Sequence, residues 1–331
     1  MRLIQLAHPN EGRRIAAVEG AHLRLLASFH SIYALAETAI ATAARLAAVA
    51  ERSLSTQTLD YEEIYHCQSE WRVLPAFDHP EEPARCLVSG TGLTHKASAD
   101  NRNAMHGDAD KLTDSMRMYF WGVEGGRPGA GEIGKEPEWF YKGSGTILRA
   151  HGEPLFVPAY SNDGGEEPEI ACAYLIDPAG TPRRVGMMAG NEFSDHRLEK
   201  LNYLYLASSK LRTCAVGPEL VVDAAFGFVP GSVSIRRAGQ RIWTKEISSG
   251  EIRMSHTLEN LEHHHFKHAA HRRPGDAHVH FLGADAFSFG DGIQLASGDV
   301  MSIEFSGFGR ALRNPIEIDD AQPELVRVEA L

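Results

Sequence analysis

The sequence has little cysteine. Cys67, Cys86, Cys172 and Cys214 are its only four in 331 residues, and no two are close enough for a CxxC redox motif or a thiolate zinc site. So few thiols in a chain of this length read as buried side chains in a reducing compartment. Long apolar runs are scarce as well. The most apolar long stretch, Ile32 to Ala50, carries Glu37 and Arg45 and is rich in alanine, so it reads as a soluble helix rather than a membrane span. The start, MRLIQLAHPNEGRR, has no apolar core of the length that a secretory signal needs. The expectation is a cytoplasmic protein without a membrane partner. A surplus of basic residues is also missing. Lys and Arg number 33 against 44 Asp and Glu, a formal charge of −11, which argues against nucleic acid as the main partner because phosphate binding needs a basic surface. A small anionic substrate needs only a local cationic pocket and stays open. No period of 20 to 50 residues is evident, which argues against repeat architectures.

What is present is ordinary for a soluble globular protein: 43% hydrophobic and 23% charged residues. Length suggests two units. Residues 2–30 read as short strands and a turn, and 31–53 as one alanine-rich helix with Leu35, Ile40, Leu46 and Val49 on repeating faces. The proline-bearing stretch from residue 71 places a boundary near 75, giving a small N-terminal α/β domain over 1–75 and a larger unit over 76–331. In that larger unit, 97–118 is a polar helical candidate and 122–134 a glycine-rich loop. Short strands with turns follow, so the class is α+β and β-rich.

The most informative stretch is EEPEIACAYLID. Glu167 and Glu169 stand two apart as a strand begins, and strand side chains alternate, so both carboxylates point to one face. Two carboxylates at that spacing repel unless a cation lies between them. Glu192 follows in GNEFSDH after another short β run. Three carboxylates are hard oxygen ligands suited to Mg²⁺ or Mn²⁺. Taken alone, the pattern equally describes a solvated acidic edge strand.

From about residue 72 to 316 the chain resembles the fumarylacetoacetate hydrolase superfamily. Six segments carry the likeness, in order: LPAFDHPEEPARCLVSGTGLTH, WFYKGSGTIL, EPEIACAY, GMMAGNEFSDHRLE, SSKLRTCAVGPELV and ASGDVMSIEFSGFGRALRNPI. The resemblance implies a β-roll catalytic domain, a divalent metal and a 2-oxo acid substrate bound by chelation, usually in a homodimer. Glu167 and Glu169 match two metal ligands of the family, and Glu192 falls where the third is usually Asp. His196 stands in place of the usual Arg, and Glu199 where some members have Gln. Hydrolytic members often carry a His followed three residues later by a Glu that activates water. Here His95 is followed by Ser98. The segment with Thr94, His95, Ser98, Asp100 and Arg102 is more similar to the 2-keto-3-deoxy-arabinonate dehydratase branch.

That branch implies loss of water from a 2-keto-3-deoxy sugar acid, with 2,5-dioxopentanoate as the product from a pentonate. Lys210 is the expected base at C3, or else an anchor for the substrate carboxylate. Asp100 is the expected acid for the departing hydroxyl, with His95 as a further catalytic residue. Lys142, Ser144, Arg102, His196, Glu199 and Ser98 are candidates for binding substrate. Lys142 and Ser144 sit in a glycine-flanked turn that also suits an exposed lysine, and Arg102 equally suits a surface salt bridge. Two other readings stay open. One is hydrolysis of a C–C bond in a diketo acid such as an acylpyruvate. The other is a non-catalytic ligand-binding homologue.

Residues 256–280 hold eight histidines: His256, His263, His264, His265, His268, His271, His278 and His280. His264 and His268 have a zinc-capable helical spacing. No acidic partner motif accompanies them, and the expectation is a polar surface or interface loop.

Overall fold

The computed structural model describes residues 1–106 and 113–331, with the backbone alone for Asn101, Arg102 and residues 104–106. Its centre is the strand Pro168–Ile176, every residue of which is buried. Ile170, Cys172, Tyr174 and Ile176 face one apolar core, and Ala171, Ala173 and Leu175 face another. Burial on both faces explains why this segment reads as a continuous apolar run rather than an alternating one.

Antiparallel to it lies Pro182–Asn191 on one side and Ala277–Phe281 on the other. The sheet continues through Cys86–Gly92 to the edge strand Glu138–Ser144. In the other direction it passes through Leu220–Val221 to Arg2–His8, Gly12–Glu19, His22–Leu26 and Leu54–Asp60. The strands of the first 75 residues thus extend the same sheet, with Arg2 and Leu3 paired to Val221 and Leu220. A second, five-stranded sheet runs Gln240–Ser249, Val229–Arg237, Val300–Phe305, Leu312–Ile318, Leu155–Val157. Val233, Ile235, Met301 and Ile303 on its inner face join the first core. This is the mixed, β-rich α+β architecture expected.

The single helix expected over 31–53 is two. Ser31 caps Ile32–Ala41, whose end turns at Ala43 with a φ of 50°, and Leu46–Arg52 follows at 109° to the first. The alanine-rich pattern runs through the turn without punctuation, which is why it reads as one element. No single helix among the described residues is long and apolar enough to cross a membrane. The expected polar helix is also two elements, Lys96–His106 and Asp114–Gly125. The histidine-rich segment is not a surface loop. Leu258–Phe266 is a helix with His264 and His265 buried, and His278 and His280 lie in a central strand.

A buried carboxylate and lysine centre

Glu167 and Glu169 leave the start of the Pro168–Ile176 strand on one face. The antiparallel return of Pro182–Asn191 pairs Asn191 with Pro168, so Glu192 arrives opposite Glu167, and its N–H donates to the Glu167 carbonyl at 2.9 Å. One carboxylate oxygen from each of the three lies within 4.8 Å of the others, and all three residues are buried.

The charges around them are arranged in layers. The Lys210 ammonium donates to Glu167 Oε1 and Glu192 Oε2, each at 2.6 Å, and to Ser194 Oγ at 3.0 Å. It lies 4.8 Å above the Phe140 ring and 3.5 Å from Glu199. Lys142 pairs with Glu192 Oε1 and donates to the Phe193 carbonyl at 2.9 Å. The sheet register places Gly143 opposite Val88 and Tyr141 opposite Ser89, leaving Lys142 as the extra residue of a bulge. The alternation of the strand continues through this point, so Lys142 shares the inward face of Glu138 and Phe140 and its ammonium is aimed inward. His196 Nε2 meets Glu167 Oε1 at 3.0 Å while its ring stacks on Phe287. Glu199 accepts from Ser209 Oγ at 2.6 Å.

These contacts divide the three carboxylates. Burial pushes the Glu167 carboxyl up, but Lys210 and His196 outweigh it and hold it well below the usual range. Burial, then Glu192 and Glu167, push Glu169 well above that range. Glu169 accepts a backbone N–H from Gly283 at 2.7 Å. Burial and the Glu167 charge raise Glu192 to about 7 despite the two lysines. Such crowding of like charge is relieved by a divalent cation, and three hard oxygen donors suit Mg²⁺ or Mn²⁺. The residues therefore fit a metal of that class.

His95 is buried too, linked to Glu169 through the Leu282–Gly283 backbone, and the charged groups acting on it are Asp285 and Arg253. The Thr94 hydroxyl donates its one hydrogen to the Leu282 carbonyl at 2.8 Å, so it accepts from His95 Nδ1 at 2.9 Å. This fixes the tautomer: Nδ1 carries the proton and Nε2 keeps its lone pair. Nε2 is buried without a hydrogen-bond partner. Burial lowers the imidazole to about 4, so it is neutral at pH 7. The same backbone step, Leu282 to Gly283, serves both His95 and Glu169. It needs glycine, because φ at Gly283 is 102° and a Cβ there would lie 1.9 Å from Thr94 Oγ1.

The other expected residues divide. His196, Glu199, Lys142 and Lys210 join the buried group. Ser98 is buried on the Lys96–His106 helix. Ser144 turns to Thr146 Oγ1 at 3.0 Å and makes no hydrogen bond to the carboxylates. Asp100, expected as the acid, is half-exposed and paired with Lys96 at 2.8 Å, one helical turn away. Its position on that helix points it outward, so it does not belong to the centre. The Arg102 side chain lies outside the described residues.

One buried acid on the strand that carries Lys142 was not anticipated. Glu138 shares the inward face of its strand with Phe140 and Lys142, is buried, and accepts from the Tyr203 hydroxyl. Its Oε1 has no hydrogen-bond partner. The signal was the alternation Glu138, Phe140, Lys142 in EWFYK.

No family model matches the chain, and no curated protein matches it by sequence. Solved structures do match. A hexagonal crystal form of 2-keto-3-deoxyarabinonate dehydratase has a TM-score of 0.72 at 19% identity, over 97% of this chain and 100% of that one. 2-Keto-3-deoxy-D-arabinonate dehydratase complexed with magnesium and 2,5-dioxopentanoate has a TM-score of 0.70 at 20% identity, over 97% and 100%. A 5-carboxymethyl-2-hydroxymuconate delta-isomerase from Mycobacterium smegmatis has 0.58 at 16% identity, over 96% and 100%. The chain has the fold of these enzymes, which is the β-roll fold that its resemblance to the fumarylacetoacetate hydrolase superfamily implied.

Proposed function

We propose that this protein is a divalent-metal-dependent hydro-lyase that removes water from a 2-keto-3-deoxy sugar acid of the pentonate class, giving 2,5-dioxopentanoate or its homologue. The observation that carries the reading is a buried Glu167, Glu169 and Glu192 group with the Lys210 ammonium between two of its members, joined through the Leu282–Gly283 backbone to a buried neutral imidazole, His95, whose Nε2 lone pair is unspent. The dehydratase of the same fold bound to magnesium and 2,5-dioxopentanoate supports it.

A cation held by Glu167, Glu169 and Glu192 supplies Lewis acidity toward the carboxylate and 2-oxo group of a 2-oxo acid. The protein's own residues do the rest. Lys210 uses three hydrogens as a donor, so it is placed as an ammonium. It neutralises the negative charge that gathers on substrate oxygens when C3 loses a proton. His95 Nε2 takes that proton, as the buried base whose lone pair is unspent. Glu138 on the inward face of the edge strand, with the Tyr203 hydroxyl bonded to it from the turn Tyr203–Tyr205, hands a proton to the departing C4 hydroxyl in place of Asp100.

A second reading uses the same lone pair. His95 would draw a proton from water, and the water would split an acylpyruvate. Position 98 is Ser rather than the acid that this chemistry pairs with the histidine. A panel of 2-keto-3-deoxy acids and acylpyruvates, incubated with Mg²⁺ and read by mass, separates the two. Loss of 18 mass units, the mass of water, from a pentonate is expected. Pyruvate released from an acylpyruvate, with every 2-keto-3-deoxy acid untouched, overturns the dehydratase reading.

A further inference from the structure

The opposite face of the same sheet carries a second polar cluster, the buried His265, His278 and His280 with the 37% exposed Trp139 at its edge, and its hydrogen bonds have only one allowed direction. Trp139 Nε1 donates to His265 Nδ1 at 3.1 Å. An indole N–H is a donor only, so neutral His265 carries its proton on Nε2. That proton is given to His278 Nδ1 at 3.0 Å. His278 must then carry its own proton on Nε2, which is buried without a partner. His280 packs on His265 with ring centroids 4.4 Å apart and is held at both nitrogens by Ser89 and Thr91.

An added proton breaks a bond of this chain. On His265 it takes Nδ1, and two N–H groups then face each other at Trp139. On His278 it takes Nδ1 and faces the His265 Nε2–H. Shifting the His265 proton to Nδ1 relieves that clash but recreates the first one. Protonation of His265 thus breaks its bond to Trp139, and protonation of His278 breaks either that bond or the one between the two rings. The neighbouring His264 behaves differently, because its Nε2 meets the Gly134 carbonyl at 3.0 Å. A carbonyl accepts from a charged ring as well as from a neutral one.

Trp139 belongs to the edge strand Glu138–Ser144, which has one strand neighbour among the described residues. The residues on either side of it, Glu138 and Phe140, and Lys142 beyond, face the carboxylate centre. We propose that Trp139, His265 and His278 form a proton-sensitive latch that positions this strand, and with it Lys142, against Glu192. His265 and His278 are positioning residues, acting through Trp139.

The titratable groups facing His265 are His268 and His271 from the segment after its helix, and His278 and His280 from the central strand; Asp276 acts on His278. Burial and these neighbouring rings lower His265 well below the usual histidine range, and burial lowers His278 to about 4. The latch is therefore closed at neutral pH and opens on acidification.

The test does not depend on which reaction the enzyme catalyses. Indole N–H resonances are followed by NMR from about pH 7.5 to about pH 3.5, and the Trp139 signal is assigned by its loss in Trp139→Phe. In the wild type that signal should move upfield on acidification, and amide protection of Phe140 and Lys142, corrected for intrinsic exchange, should fall with it. In His265→Gln, whose side-chain oxygen accepts from the indole without titrating, both should stay constant. In Trp139→Phe the protection should be low at every pH. An unmoved wild-type signal, a titration that persists unchanged in His265→Gln, or constant protection of Lys142 while the indole titrates would each overturn the proposal.

Discussion

The Lys210 ammonium stands 2.6 Å from Glu167 Oε1, with both side chains buried. It makes the same approach to Glu192. This cation lets two of the carboxylates sit inside the protein before any metal arrives.

Lys210→Met should therefore leave Glu167 and Glu192 without a full counter-charge. The expected loss is about 3 kcal/mol of stability in a chelating buffer, as for breaking a buried ion pair from one side. Saturating Mg²⁺ should restore part of it. Urea unfolding in EDTA and in Mg²⁺ reads both effects, and an unchanged midpoint in EDTA would contradict the role given to Lys210.

Glu169→Gln tests the metal. Glu169 is the carboxylate held most strongly toward its neutral form by burial, Glu192 and Glu167, so the neutral amide should cost the metal-free protein little stability. Mn²⁺ affinity, measured by titration with electron paramagnetic resonance, should fall by more than about tenfold. Full activity of the wild type after exhaustive chelation would remove the metal from the mechanism.

His95→Gln should lower turnover by roughly 10² to 10⁴-fold, the usual range for losing a general base. Exchange of the C3 hydrogen in D₂O should vanish with it. Thr94→Val frees the imidazole to change tautomer and should reduce turnover in the same direction with little change in KM. Exchange that survives in His95→Gln but disappears in Lys210→Met would return the base role to Lys210.

Stability should fall on acidification. His151, His256 and His278 are lowered to about 4 and His280 to about 3, in each case first by burial. The unfolded chain binds these protons near pH 6.5 and the folded protein does not. The stability they allow is thus present above about pH 6.5 and is lost progressively toward about pH 4. Glu169 and Glu192, raised in the metal-free protein, and His196, raised by Glu167, oppose this trend. Glu37, Asp163 and Glu166 are raised too, but with His79, His95, His264 and His265 also lowered, eight histidines face six opposing groups, so urea midpoints should drop from pH 7.5 to 5. A flat profile would show that the buried rings take up protons without loss of structure.

Leu201, Leu204 and Tyr205, on the helix that carries His196 and the turn after it, are 69%, 84% and 49% exposed. A homodimer that covers them is expected, with Leu204→Asp shifting the mass in solution toward the monomer. A wild-type monomer at micromolar concentration would count against this.

Some of the centre could be read in the chain itself. Glu167 and Glu169 share a face because a strand repeats every two residues, and that holds wherever the strand lies. The ordered motifs around them, with Lys142 and Lys210, pointed to the β-roll and to a metal. Local periodicity could not say which way the neighbouring elements turn. Asp100 sits in the right segment, yet its helix directs it to Lys96 and solvent. Glu138 has no motif of its own and faces inward only because its strand places it beside Phe140 and Lys142. His265 and His278 are thirteen residues apart, and their bond exists because a helix packs on the strand that bears His278. A short repeat fixes which side chains point together. Which of them meet, and which stay dry enough for their charges to matter, depends on contacts between distant segments, and those form only when the two sheets close on their cores.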